Sequence, residues 1–305
     1  MLMCTAWIVA GSLLIIYFNY HLFLKHTKRS FNTPLHSSTT TIITNETTND
    51  VHCVHTLHHQ PWTMSMLWGG TVPLLSLYVT LVISLCNNFE SVTHNTGCSS
   101  RRVANIVPSV SACLGDFFPQ RGIWRVCVMS YVWQRVISGF VQYFHYGQAT
   151  RWTLPKVNFW RAIVHVVEQI FLIGLSAVSS NDHLLFHEIS FGIFCTCSCL
   201  NMVFTDWLIR EWKRQCALQK NEHQPLHIAN RAHVWRWNTM IFNFGCLGFA
   251  VYFFFASQSS CIDYEFSKFA TFEWLYVISN IVYQHSEQIE LSYIDVAWVI
   301  MKKRV

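Results

Sequence analysis

Two histidines and a glutamate, His183, His187 and Glu188, cluster where a long hydrophobic run begins at Leu184. His183 and His187 are four residues apart and would share one face of a helix. Three readings follow. Imidazoles one turn apart can ligate a metal. His183 and Glu188 have the His-x4-acid spacing that some acyltransferases use with aspartate, which suits acid/base work on a lipid ester. The plainest reading is a hydrated helix entrance without chemistry. Spacing alone leaves all three open.

Arg135 and Glu168 are a second pair, each inside a hydrophobic run. A charge near the centre of a bilayer costs a few kcal/mol and calls for a partner or a water-filled cavity. Arg135 lies about midway along its run, and Glu168 roughly two turns in from the end of the next, antiparallel one. Their depths differ by about 7 Å at 1.5 Å per residue, a gap that an arginine stem can span. They would form either the polar floor of a headgroup pocket or an ion pair holding two helices together. Cys195, Cys197 and Cys199 spread around one helix and cannot converge on an ion, so they read as small packing residues. Cys98 and Cys261 fall in loops expected on the oxidising side, where a bridge would staple the bundle, with Cys113 the competing partner. The sequence has no Gly-rich phosphate loop, Gly-x-Ser-x-Gly elbow or Cys-x2-Cys pair, and no metal centre is expected.

The elements that must position these residues are set by composition. Of 305 residues only 12% are charged, against about 25% in soluble chains, while 52% are hydrophobic and 15% aromatic. With a mean hydropathy of +0.27, this predicts an all-α, polytopic membrane helix bundle. It excludes a disordered chain, a collagen and, at 12 Cys, a small disulfide scaffold. A membrane-crossing helix needs about 20 apolar residues. Six core spans are expected at 66–86, 123–146, 157–178, 184–208, 236–256 and 269–284, within a membrane domain at 66–286. Ahead of them, 1–24 reads as a retained, signal-anchor-like transmembrane segment with its apolar run at 5–24. Residues 25–65, rich in Thr, Ser, His and Asn, read as a polar, disordered linker. Residues 287–305 are expected to form an interfacial helix, over 289–301, and a basic tail.

Orientation follows from the basic residues, which favour the cytoplasmic side. With a cytoplasmic C-terminus that side receives 15 Lys and Arg, and the opposite side five: Arg101, Arg102, Arg121, Arg125 and Lys268. The net charge of +5 is thus read as topology, and nucleic acid is not expected as a partner. The sequon at Asn45 would face the cytoplasm and stay unused. Lys302 and Lys303 have the dilysine pattern read by vesicle coats, so retrieval to the early secretory pathway is expected; a simple positive-inside stop cluster is the competing explanation.

Several separated motifs, in order, resemble the post-GPI-attachment-to-proteins factor 2 family, within the wider group of six-helix membrane proteins that includes the damage-regulated autophagy modulators. The match runs from about Met66 to Gln284. It is carried by Asn105-Ile106-Val107-Pro108-Ser109-Val110-Ser111-Ala112, then by Pro119-Gln120-Arg121-Gly122-Ile123-Trp124-Arg125. Arg135, His145-Tyr146, Val167-Glu168-Gln169, Val178-Ser179-Ser180 and His187-Glu188 follow. Cys98 and Cys261 stand where that family also has cysteines. The chain departs from the pattern in its N-terminal anchor and linker, and in a C-terminal region carrying His285, Glu287 and Glu290.

The resemblance implies fatty-acid remodelling of glycosylphosphatidylinositol (GPI) anchors in the Golgi and endoplasmic reticulum, at the step that reacylates lyso-GPI with a saturated sn-2 chain. The expected partners are the GPI-anchor lipid or lyso-GPI, the membrane, and a GPI-remodelling enzyme. If the chain is itself an acyltransferase, no cofactor is bound and acyl-CoA is the expected donor. His187 or His183, with Glu188, would then be the base, and Arg121 and Arg125 would contact the inositol phosphate. The competing class is a non-catalytic lipid-binding, scaffold or lipid-translocating protein. A proton or ion pathway through Arg135 and Glu168 is weaker, because the charges do not continue across the bilayer.

Overall fold

The computed structural model describes residues 63–94, 98, 103–149, 154–218 and 226–291, with four short strand pieces elsewhere. The 1–24 segment, Asn45, residues 292–298, Lys302 and Lys303 lie outside the described residues. The strand pieces are β1 (Ile42–Thr44), β2 (Val51–Cys53), β3 (His55–Thr56) and β4 (Val299–Ile300), paired β1 with β2 and β3 with β4.

Among the described residues eight helices follow one another: α1 (Thr63–Asn87), α2 (Phe89–His94), α3 (Val110–Gly115), α4 (Gln120–Ala149), α5 (Pro155–Ala177), α6 (Leu184–Leu218), α7 (Leu226–Ser260) and α8 (Glu265–Leu291). The six long ones coincide with the six expected core spans, and residues 289–291 continue α8 without a break. At 35 residues each, α6 and α7 reach about 52 Å and outrun the hydrocarbon core.

Among the described residues, Gly69–Asn87, Pro155–Ala177, Leu184–Gln215 and His233–Ser260 are long and apolar enough to cross a membrane. Helices α4 and α8, with 30 and 27 residues, have the length but a more polar composition. Burial accounts for the difference. On α4, Gln120, Arg135, Ser138 and Gln142 are buried, as are Ser267, Glu273, Ser279, Asn280 and Gln284 on α8. From residue 269 to 286 no α8 side chain is exposed. The outer surface is apolar instead, with Trp133, Phe144, Trp160, Ile170, Phe249 and Phe255 exposed. A polar interior inside an apolar shell suits lipid as the surrounding solvent, and the chain is a polytopic helical membrane protein.

Helix α8 packs most extensively on α7 and also on α1, α1 on α4, α4 on α5, and α5 on α6, while α6 touches α7 more lightly. The ring is tightened by hydrogen bonds from Asn280 on α8 to Ser198 Oγ on α6 (2.5 Å) and from Asn243 on α7 to Ser279 Oγ (2.7 Å). One end of the bundle is closed by α3, which was not expected from the sequence. Ser109 caps it by accepting from the Ala112 N–H at 3.2 Å. Its apolar face, with Val110, Cys113 and Leu114, joins the Leu74, Leu77, Leu81, Trp274 and Ile278 core. The lead-in at residues 103–109 lies against α8, where the Ile106 N–H donates to Ser267 Oγ (2.9 Å) and Trp274 Nε1 donates to the Pro108 carbonyl (2.9 Å).

At the same end Cys98 and Cys261 form a disulfide, with Cα atoms 5.7 Å apart across 163 residues of sequence. Cys113, the competing partner, is buried and free. The α7–α8 turn places two non-glycine residues in the left-handed region, Cys261 (φ 49°) and Tyr264 (φ 68°). Such positions cost about 1–3 kcal/mol each and persist only where neighbours hold them. Here the disulfide and the Tyr264 N–H to the Ala104 carbonyl (2.9 Å) do so.

Candidate functional site

Beneath α3 a cavity of about 70 Å³ opens between α1, α4, α5, α6 and α8. Its polar lining brings together Ser111, Arg135, Ser179, His187, Glu273 and Asn280; its apolar lining includes Trp124, Leu172 and Phe191. That space is enough for several water molecules, at about 10–15 Å³ each.

His187 is 8% exposed, on the first turn of α6. Its Nδ1 lies 2.8 Å from the Val178 carbonyl, which can only accept, so Nδ1 carries the proton. The lone pair therefore falls on Nε2, where the Ser111 hydroxyl donates at 3.0 Å. Two features deliver these side chains. Gly115 lets α3 approach the turn after α5, where a Cβ would stand 2.9 Å from Ser179 Cβ. Val178 ends α5 and turns its carbonyl toward the start of α6.

The other two members of the sequence cluster are not brought to this point. His183 precedes α6 as its N-cap: it is exposed, and its Nδ1 accepts the Phe186 N–H at 3.1 Å. Glu188 is exposed on the helix surface, so the His-x4-acid spacing does not become a contact. No group of three or more His, Cys, Asp or Glu is placed to hold a metal ion among the described residues.

Glu273 was visible in the sequence only as a charge in the last span. Here it is buried, with Oε2 accepting the Val110 N–H at 2.9 Å, which fixes α3 over the cavity.

Arg135 lines the cavity from α4, and its guanidinium donates to Glu168 Oε1 at 2.9 Å, with side-chain exposures of 2% and 0%. The expected ion pair thus forms, and it belongs to a larger network. Asn201 Nδ2 donates to Glu168 Oε2 (3.1 Å), and His165 Nε2 donates to the Arg135 carbonyl (2.9 Å) while its Nδ1 accepts from Asn201 at 3.2 Å. Gly139 makes the His165 contact possible, since a Cβ there would lie 2.5 Å from the His165 ring. Below, Arg161 is fully buried and donates to Gln142 Oε1 (2.5 Å) and to the Gly139 carbonyl (3.2 Å).

Arg121 and Arg125 lie at the cavity end of α4, outside its lining. Arg121 is ion-paired with Asp182, with side-chain exposures of 31% and 43%. Arg125 donates to the Ser176 carbonyl (3.2 Å) and to that of Ala177, so it satisfies the C-terminus of α5. Hydrogen bonding from the Ser179 backbone N–H, then from Arg121, holds the Asp182 carboxyl below the usual carboxylate range. Nearby Asp116 is pushed up to about 6 by burial, against the pull of Arg121.

Residues 61–294 match the family described as the Frag1/DRAM/Sfk1/Cwh43P N-terminal domain. The chain is 27% identical to "Post-GPI attachment to proteins factor 2" of Drosophila melanogaster over 224 residues, 73% of this chain and 83% of that protein. It is 30% identical to "Acyltransferase PGAP2" of Xenopus tropicalis over 218 residues, 69% of this chain and 81% of the relative. With "Post-GPI attachment to proteins factor 2" of Caenorhabditis elegans it shares 25% over 232 residues, 73% and 82% of the two chains. No solved structure matches the chain.

Proposed function

Because the chain belongs to the post-GPI-attachment-to-proteins factor 2 family, we propose that it remodels the fatty acids of GPI anchors, reacylating lyso-GPI at sn-2 with a saturated chain. The observation that carries an enzymatic reading is His187, whose tautomer is fixed by a backbone carbonyl and whose basic nitrogen faces an interior cavity beside a hydroxyl. A base so oriented can take the proton of an attacking hydroxyl and return it to the leaving group, which is what acyl transfer requires. Arg121 is the phosphate contact in this reading: its pair with Asp182 is partly exposed, so an inositol phosphate can exchange with that carboxylate. Arg125 stays on the α5 carbonyls and Arg135 on Glu168.

In this reading the protein works in Golgi and endoplasmic reticulum membranes, and the distribution of Lys and Arg supports a cytoplasmic C-terminus. A vesicle coat reads Lys302 and Lys303, and a second GPI-remodelling enzyme supplies lyso-GPI. Purified protein in detergent, given lyso-GPI and stearoyl-CoA or a stearoyl phospholipid, is expected to form the reacylated product. His187→Ala is expected to abolish this while keeping the wild-type melting temperature. No product from well-folded wild-type protein with any of these donors would overturn the enzymatic reading in favour of a lipid-presenting role.

A further inference from the structure

We infer that Ser111 is the nucleophile of a two-step transfer, carrying the acyl group as a serine ester between donor and acceptor; this rests on the acyl-transfer reading above. The Ser111 hydroxyl already occupies the basic nitrogen of His187 at 3.0 Å, within the 2.6–3.2 Å reach of a nucleophile and its base. An incoming lipid hydroxyl would have to displace it to be activated directly. Val178 orients the far side of the ring, the part played by a third group in nucleophile–base–orienter sets. Ser111 also lines the cavity. The pair is assembled from residues 76 apart, and Gly115 lets α3 lie close to Ser179 in the turn that leads into α6.

The steps balance without a redox partner. In the first, Ser111 Oγ attacks the carbonyl of an acyl thioester or acyl ester while His187 Nε2 takes the hydroxyl proton. The carbon–sulfur or carbon–oxygen bond to the leaving group breaks, and the imidazolium protonates the departing thiolate or lysolipid alkoxide. In the second, the lyso-lipid hydroxyl attacks the acyl-serine, His187 takes its proton, and Ser111 leaves reprotonated. Both donors offer an acyl carbonyl, the thioester the more activated one and the oxygen ester more dependent on protonation of its leaving group by His187. A phospholipid ester can reach the cavity from within the membrane, whereas a CoA thioester carries charged phosphates that stay in water.

The experiment incubates detergent-solubilised, full-length protein with stearoyl-CoA in one arm and distearoylphosphatidylcholine in the other, first without acceptor. Mass spectrometry of the Ser111 peptide and the released thiol or lysolipid are the readouts. The expected result is one stearoyl group on Ser111 and a matching burst of leaving group in at least one arm, the arm identifying the donor. Ser111→Ala should lose the adduct and about 10³-fold or more of the transfer to lyso-lipid. Ser111→Cys should trap a hydroxylamine-labile thioester. An intact Cys98–Cys261 bridge and unchanged melting establish that each variant is folded. If wild-type protein reacylates lyso-lipid without any adduct, or if folded Ser111→Ala keeps its rate, the inference is overturned and the acyl-transfer reading survives. If wild-type protein transfers nothing from either donor, both fall together.

Discussion

Replacing Glu168 by glutamine keeps the shape of the side chain and removes its charge, leaving the Arg135 guanidinium, 2% exposed, without its carboxylate. Breaking a buried pair from one side costs about 3–5 kcal/mol, because the remaining ion stays desolvated. Asn201 loses a charged acceptor in the same step. At roughly 2–4 °C per kcal/mol for a domain of this size, Glu168→Gln should melt about 6–20 °C below wild type in detergent micelles. Removing both charges in Arg135→Gln/Glu168→Gln should recover most of that loss, since neither ion is then stranded. A double-mutant cycle should therefore give a coupling energy of at least about 2 kcal/mol. Melting followed by tryptophan fluorescence, with size-exclusion recovery after heating as a second readout, measures all four proteins. A Glu168→Gln variant within about 2 °C of wild type, or a double variant that loses the sum of the singles, would refute a buried charge pair as the brace of the bundle.

Gly139→Ala should cost about 1–3 kcal/mol, because its Cβ displaces the His165 ring from the Arg135 carbonyl, and adding His165→Ala should relieve much of that strain; melting of the two variants decides it. Maleimide labelling under denaturing conditions should modify Cys98 and Cys261 only after reduction, while Cys113 labels in both states. The two carboxyls near Arg121 act with opposite sign on stability against pH. Asp116, raised to about 6, binds its proton more tightly when folded, so its contribution is present at low pH and lost as pH rises from about 4 through about 6; Asp182, lowered, contributes above the usual carboxylate range and loses that as pH falls. Asp116→Asn should remove the first trend and leave the second, in melting curves from pH 3 to pH 8.

The six long helices could be read from the sequence because lipid contact demands an apolar outer surface wherever a helix crosses, and Trp133, Trp160 and Phe249 keep that surface apolar whatever the interior holds. The same logic blurred α4 and α8, whose buried polar residues dilute the signal. Arg135 and Glu168 stood out because a charge in an apolar run is conspicuous, and a single depth argument sufficed to pair them. Their partners did not: Asn201 and Gln142 are unremarkable by type, and Arg161 is fully buried although charge counting assigned it to the cytoplasmic flank. The pairing of His187 with Ser111 left no local trace, since it depends on how α3 settles over α6. His183 misled for a simpler reason: the helix starts one residue after it, so the i, i+4 face begins outside the helix. No periodic pattern could have announced α3, a six-residue helix marked only by its Ser109 cap.

The enclosure of α8 has a consequence for how the bundle is made. Of the six long helices it is the last to leave the ribosome, and with Glu273, Asn280 and Gln284 along its length it is a poor substrate for insertion on its own. Its most extensive neighbour is α7, and α1 and α6 also flank it, so this packing favours entry as the second limb of a hairpin with α7. Outside that packing those polar side chains would face lipid, at the cost that a charge or amide in hydrocarbon carries. Closure of the Cys98–Cys261 bond, which must wait for α7 to cross, therefore marks the moment at which a newly made molecule has nearly completed its ring.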